Sequence, residues 1–262
     1  GCEPTNRSWS PSDTGDSCLT PSATVRLLAT ALAATIALPA TSSAQDEIAG
    51  ADPADWPRYA RDPGGTRFSP LDQINTDNVD RLEEAWSFRL RPEGGAGLLG
   101  GSVPIVVDGV LYMPLGNAVV ALEADTGNEI WRHTVEGGLV RRAVSWWPGD
   151  GSTGARIFFS TGTALVALDP ATGEYDTGFG EGGKAAIDGT PYSYPPSVWK
   201  DVLVIGANVQ EDSFGASGNS RAYDARTGEK LWEFNTVPQE GEVGHETWLD
   251  GETEGRSGNN MW

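Results

Sequence analysis

The sequence predicts an all-β chain, a β-propeller of four-stranded antiparallel blades, and three observations lead there. A phrase of eleven residues recurs at Ala121–Trp131 (A-L-E-A-D-T-G-N-E-I-W), at Ala167–Thr177 (A-L-D-P-A-T-G-E-Y-D-T) and at Ala222–Trp232 (A-Y-D-A-R-T-G-E-K-L-W). The copies start 46 and 55 residues apart, the span of one propeller blade plus some loop. The 262 residues include 34 Gly and 17 Pro, a supply of turn formers that suits many short strands better than helices. Within the phrase, the small Ala permits close packing and the acid accepts hydrogen bonds from the turn. Thr-Gly closes that turn, with Gly free to adopt a positive φ, and the following strand ends in a large Trp that can wedge between blades. The middle copy lacks its Trp, having Thr177 there.

The chain begins with a polar, irregular stretch. The apolar run Leu27–Leu38 follows Arg26 and precedes Pro39 and Ser42-Ser43-Ala44. It is short for a membrane span, and small residues stand where a signal peptidase would cut, so residues 1–44 read as upstream residues plus a secretory signal cleaved after Ala44. Residues 45–262 then form the N-terminal part of a propeller, about three blades and part of a fourth. Cys2 and Cys18 are the only cysteines and both precede the cut, so the mature chain would carry neither a disulfide nor a cysteine-ligated metal. The predicted location is periplasmic or exported, with membrane association possible.

Asp62-Pro63-Gly64-Gly65 reads as a turn, Thr76–Leu82 as a short helix and Ala85–Phe88 as the start of a strand. Val103–Val107 and Val110–Pro114 flank Asp108-Gly109, a strong hairpin signal, and Ala118–Leu122 and Glu129–His133 complete a four-stranded unit. The second unit uses Arg156–Ser160, Leu165–Leu168 and a degenerate last strand. The third uses Ser197–Trp199, Val202–Ile205, Ser220–Tyr223 and Lys230–Phe234, and a further unit would start near Gly244. Each sheet alone leaves a face uncovered, and radial stacking of such sheets makes a propeller. A β-sandwich would lack the repeated phrase, and an open solenoid is the other alternative.

Chemistry is constrained by what the chain has and lacks. A net charge of −19 argues against nucleic acid as a partner. Gly178–Gly183 satisfies G-x-G-x-x-G but neither follows a buried parallel strand nor opens a helix, so a glycine-rich loop between blades is the expected reading. There is no G-x-S-x-G and no H-E-x-x-H, and His133 and His245 stand far apart. A bound cofactor is the remaining route to catalysis.

Four stretches are over-specified for a structural propeller. They are Ser69–Ile74 (S-P-L-D-Q-I), Arg141–Asp150 (R-R-A-V-S-W-W-P-G-D), Gly206–Asp212 (G-A-N-V-Q-E-D), and Gly244–Trp248 (G-H-E-T-W) with Ser257–Trp262 (S-G-N-N-M-W). In order and spacing, from about Trp56 to Trp262, they resemble the quinoprotein dehydrogenases that carry pyrroloquinoline quinone (PQQ). The resemblance implies an eight-bladed propeller of which this chain is an N-terminal fragment. It further implies PQQ and Ca²⁺ in the central funnel, and oxidation of an alcohol or sugar CH–OH group by hydride transfer to the quinone, with a carboxylate base and Ca²⁺ as Lewis acid.

Carried over residue by residue, Arg142 matches the arginine that holds a PQQ carboxylate. Ser193 matches a hydroxyl contact, Asn208 another polar contact, and Asn260 and Trp262 the polar residue and floor tryptophan under the quinone. Glu211 matches the acidic calcium ligand, with Asp212 its competitor for that role. The alternatives are a surface arginine at Arg142 and a solvated loop acid at Glu211. The paired cysteines of alcohol-oxidising members fall at about Glu136-Gly137, and a Glu or Gln near the first blade is matched only by Gly101. These departures, with G-H-E-T-W, lean toward a glucose-dehydrogenase-like branch. No catalytic residue is assigned, since the family's aspartate base and asparagine calcium ligand would lie beyond Trp262; the fragment alone is expected to be inactive. The implied electron acceptor is a cytochrome or membrane quinone. The competing reading is a non-catalytic scaffold that binds partner proteins in outer-membrane assembly, for which the funnel arginine, the acidic loop and W-W-P-G-D would have no use.

Overall fold

The computed structural model describes residues 52–89, 101–135, 142–187, 194–207, 209, 212–248 and 252–258. Its regular structure is twelve strands in three four-stranded antiparallel sheets. The first sheet joins β1 (Ile105–Val107), β2 (Val110–Pro114), β3 (Ala118–Glu123) and β4 (Glu129–Thr134) in sequence order. The second joins β5 (Ser145–Trp147), β6 (Arg156–Ser160), β7 (Ala164–Leu168) and β8 (Lys184–Ala186). The third joins β9 (Ser197–Trp199), β10 (Val202–Ile205), β11 (Ser220–Asp224) and β12 (Lys230–Phe234). They are successive blades of an incomplete β-propeller. Thr76–Leu82 yields only a single 3-10 turn at Val79–Arg81, and the region after Gly244 a second one at His245–Thr247. Ala85–Phe88 forms no strand, although Trp86 and Phe88 pack on the first sheet. Residues 1–51, including the apolar run, lie outside the described residues.

The hairpins follow from local chemistry. Asp108 and Gly109 both take positive φ (49° and 74°), as a two-residue turn matched to strand twist requires. Each phrase closes its turn alike: the backbone N–H of Gly127, Gly173 and Gly228 donates to the carbonyl of Glu123, Asp169 and Asp224 at 2.8 Å. The side chains of Asp169 and Asp224 accept two further backbone N–H bonds each, which is why an acid stands there. The phrase's first Ala lies directly across the last strand pair from its Trp, as Ala121 opposite Trp131 and Ala222 opposite Trp232.

Apolar residues between the first and second sheets, and between the second and third, form two continuous cores. At each junction an aromatic ring from one turn of the propeller lies over the glycine of the next phrase. Trp86 covers Gly127 and donates from its indole to the Ala124 carbonyl (3.1 Å); Trp131 covers Gly173 and donates to Pro170 (2.9 Å). The missing Trp of the middle copy is replaced by two residues. Phe179, fully buried, packs beside Gly228, and Arg156 donates to the carbonyls of Ala225 (2.7 Å) and Arg226 (2.5 Å) while pairing with Asp176 (2.6 Å). Residues 176–183 form the loop that carries buried Phe179, and the last strand of this blade, β8, follows that loop. The G-x-G-x-x-G stretch is therefore a packing loop that opens no helix.

Candidate functional site

Three inner strands, β1, β5 and β9, begin near one another. The backbone N–H of Val103, just ahead of β1, donates to the Arg142 carbonyl ahead of β5 (2.5 Å), and Ser145 Oγ in β5 donates to the Pro196 carbonyl ahead of β9 (2.5 Å). These bonds draw the leading segments of three blades together.

Arg142 sits at this convergence. Its backbone takes φ 68°, a left-handed conformation that a non-glycine residue seldom adopts, and it is followed by Ala143 and Val144, both buried. The turned backbone leaves the side chain exposed, and its Cζ lies 4.7 Å from the ring centroid of Tyr194. A guanidinium stacked on an aromatic face is stabilised there by the ring quadrupole. Tyr194 is the immediate neighbour of Ser193, so two stretches singled out in the sequence 51 residues apart meet in space. A cleft of about 400 Å³ starts beside them at Ala143 and Pro195 and runs between β5 and β9, with Tyr59 and Pro63 on its far wall.

A second meeting joins the segments that follow Gly206–Asp212 and open Ser257–Trp262. The segment after Glu211 is tied to the segment before Asn260: Gly215 N–H donates to the Gly255 carbonyl (2.9 Å), Ser257 N–H to Ser213 (3.3 Å) and Gly258 N–H to Ala216 (3.3 Å). Gly258 approaches the Ser217 backbone so closely that a Cβ would have no room, which accounts for glycine in S-G-N-N. Ser193, Asn208, Glu211, Asn260 and Trp262 themselves lie outside the described residues. The flanks of Asn208, Ala207 and Val209, are buried between the second and third sheets. Gly101 is exposed with φ 103° and nothing near its Cα on the side-chain side.

Asp150 does structural work. Asp150, which ends W-W-P-G-D, accepts from the Ser152 hydroxyl and from the backbone N–H of Thr153 and Ser152, and these bonds bring its carboxyl down to about 2. Trp147 of the same stretch donates to Asp201 (3.3 Å) across the sheet boundary. Arg226 then bridges Asp224, Asp150 and Asp201 at 2.8, 3.5 and 3.6 Å. Exposed Asp212 accepts only its neighbour's N–H among the bonds seen (2.6 Å). Among the described residues no group of three or more His, Cys, Asp or Glu is placed to hold a metal ion. Sequence reasoning missed Tyr194 and Arg156. An aromatic ahead of two prolines and an arginine opening a strand carry no pattern until a partner from another blade is seen.

Comparison with known proteins places this geometry among relatives. The family model described as "PQQ: Glucose/ethanol/alcohol dehydrogenase, beta-propeller domain" matches residues 56–262. A quinohemoprotein alcohol dehydrogenase of Comamonas testosteroni is 37% identical over 199 residues, covering 70% of this chain and 26% of that protein. Methanol dehydrogenase [cytochrome c] subunit 1 of Paracoccus denitrificans is 30% identical over 230 residues, covering 81% of this chain and 35% of that protein. The crystal structure of the Comamonas testosteroni enzyme superposes with a TM-score of 0.56 at 31% identity, covering 75% of this chain and 29% of the other. The chain thus spans about a quarter to a third of the length of the curated relatives it matches.

Proposed function

Because the chain belongs to the glucose/ethanol/alcohol dehydrogenase β-propeller family, we propose that it is the N-terminal part of an exported, PQQ-dependent dehydrogenase acting on an alcohol CH–OH group. The observation that carries this reading is Arg142 stacked on Tyr194 where the inner strands of three blades converge.

Of the candidate residues Arg142 is the one among the described residues, and its chemistry suits the cofactor. PQQ is a flat, multiply anionic acid, and in a chain of net charge −19 a site for it needs a fixed cation. Arg142 supplies one whose planar fork matches a carboxylate. The contact with the Tyr194 ring restrains the guanidinium, which limits the rotamer freedom lost when a carboxylate docks. When bound, PQQ supplies a two-electron quinone acceptor for a substrate hydride. Arg142 would orient it through one carboxylate, and Ser193, Asn208 and Asn260 would add polar contacts. Trp262 would provide a flat apolar surface, and Glu211 would offer hard oxygen to Ca²⁺.

Relatives named as alcohol and methanol dehydrogenases favour an alcohol over a sugar as substrate, and the names "[cytochrome c]" and "(quinone)" point to such acceptors here. The scaffold reading gives no role to an exposed arginine stacked at the convergence of the inner strands. The test is dye reduction by the longer polypeptide that contains this chain, with PQQ and Ca²⁺ added and a panel of primary alcohols and aldoses supplied. Turnover requiring PQQ and an alcohol is expected. A folded protein that reduces dye with neither substrate class would overturn the reading, and aldose turnover alone would move it to the sugar branch.

A further inference from the structure

Successive side chains of β5 face different blades, as the pleat of a strand requires. Trp146 faces the first blade, its ring 6.2 Å from that of Tyr112. Trp147 joins the core between the second and third sheets and donates to Asp201. Ser145, two residues before Trp147, shares its side of the strand and reaches the third blade at the end nearer Arg142. Its hydroxyl donates to the Pro196 carbonyl at 2.5 Å, from a half-buried side chain to a buried residue.

Two prolines carry that bond to Tyr194. The rings of Pro195 and Pro196 fix φ, and a residue that precedes proline is held out of the helical region, so Tyr194-Pro195-Pro196 is a stiff piece of chain. Anchoring the Pro196 carbonyl therefore sets the direction in which Tyr194 presents its ring, and that ring lies 4.7 Å from Arg142 Cζ. The Arg142 backbone is held separately, its carbonyl accepting the Val103 N–H from the first blade. Backbone and guanidinium of one residue are thus restrained from two different blades.

We propose that Ser145 is a positioning residue for the anion site: through Pro196 and Pro195 it holds the Tyr194 ring against Arg142, so that an incoming carboxylate meets a guanidinium already restrained. The identity of that anion rests on the PQQ reading; the positioning itself does not. Without the Ser145 hydroxyl the Pro196 carbonyl loses this donor, Tyr194-Pro195-Pro196 loosens against β5, and the guanidinium regains rotamers that binding must then freeze. Threonine would keep the hydroxyl at a strand position that suits it.

The test reads the 262-residue chain twice: by the proton NMR shifts of the Arg142 side chain, which the Tyr194 ring moves upfield, and by PQQ titration followed through tryptophan fluorescence. Tyr194→Leu defines the shifts without the ring. Ser145→Ala is expected to lose most of the ring-induced shift and to bind PQQ about three- to tenfold more weakly, and Ser145→Thr to restore both. A Ser145→Ala chain that keeps the full shift overturns the proposal, whatever its stability or affinity. So does PQQ affinity that stays unchanged while the shift is lost, or a Ser145→Thr chain as impaired as Ser145→Ala. Should the unaltered chain not bind PQQ, the cofactor reading falls and the NMR shifts alone decide the positioning. Should Ser145→Ala fail to fold, Ser145→Cys, a near-isostere with a weak donor, takes its place with the same expected outcomes.

Discussion

Arg156 shows how one side chain can stand in for another of unrelated type. In two junctions an indole N–H reaches a turn carbonyl; in the third, where Thr177 replaces Trp, the same kind of carbonyl is reached by a guanidinium 2% exposed. Arg156 also lies 5.6 Å from the Trp147 ring centroid and 5.7 Å from that of Phe179, so it packs as well as bonds. Replacing it by Ala strips two carbonyls and Asp176 of their donor. Arg156→Ala should cost about 3 kcal/mol, toward the low end for a broken buried pair because Asp176 is a quarter exposed. Urea denaturation of the two chains checks this, and a loss below about 1 kcal/mol would mean that Phe179 alone carries the junction.

The same bonds set a pH dependence. Hydrogen bonding from Arg156 holds Asp176 below the usual carboxylate range. Burial alone would push Glu233 up, but donors on Asn219, Arg221 and Lys230 outweigh it and bring it down to about 2. Carboxyls depressed in the folded state contribute stability that is fully present above their unfolded values, near 3.8 and 4.5, and is lost as pH falls toward about 2. The melting midpoint should therefore fall between pH 4.5 and 2, in addition to the fall that begins below pH 6.5 because burial lowers the pKa of His133 in the folded chain. A midpoint that does not drop in that acid window would contradict the assignment.

At the scale of the element, the repeated phrase works because each part meets a different neighbour. Ala121 faces Trp131 across the strand pair, the acid caps the turn, and Gly173 lies under the Trp of the preceding blade. A Cβ on Gly173 would stand 2.5 Å from Trp131 Cε3, and φ there is 72°. Gly173→Ala is thus penalised twice, by left-handed backbone and by overpacking, and should lose about 2–4 kcal/mol. Gly109→Ala, with positive φ but open space around it, should lose only the backbone part, about 1–2 kcal/mol. Equal losses in the two variants, measured by urea denaturation, would mean that the Trp–Gly contact contributes nothing.

These elements were legible in the sequence to unequal degrees. Asp108-Gly109 and the three phrases located the turns within a residue or two, because their signals are local. The strand β5 was not legible: its S-W-W lies inside a stretch whose composition suggested a site, and only pairing with β6 makes it a strand. The short helix over Thr76–Leu82 shrank to one 3-10 turn, since none of its residues is buried and no packing supports a longer one. Arg142 was singled out through its family pattern, whereas its contact with Tyr194 was not legible, since it depends on segments far apart in sequence.

At the scale of the whole molecule, three blades share two buried interfaces and leave the outer face of the third open. Leu231, Trp232 and Phe234 are 47%, 46% and 61% exposed, and Trp232 has no glycine turn beneath it among the described residues. The repeat thus presents its docking wedge a third time, in a chain that spans about a quarter to a third of its relatives. The candidate site, meanwhile, lies where Arg142 meets Tyr194 beside a cleft of about 400 Å³.

The central claim, that this convergence is a PQQ cradle, is tested most directly by titrating PQQ into the 262-residue chain and following tryptophan fluorescence. Saturable quenching is expected, with affinity at least tenfold weaker in Arg142→Ala and unchanged in Arg132→Ala, a surface arginine paired only with Glu129. Quenching without saturation, or equal affinity in Arg142→Ala, would contradict it.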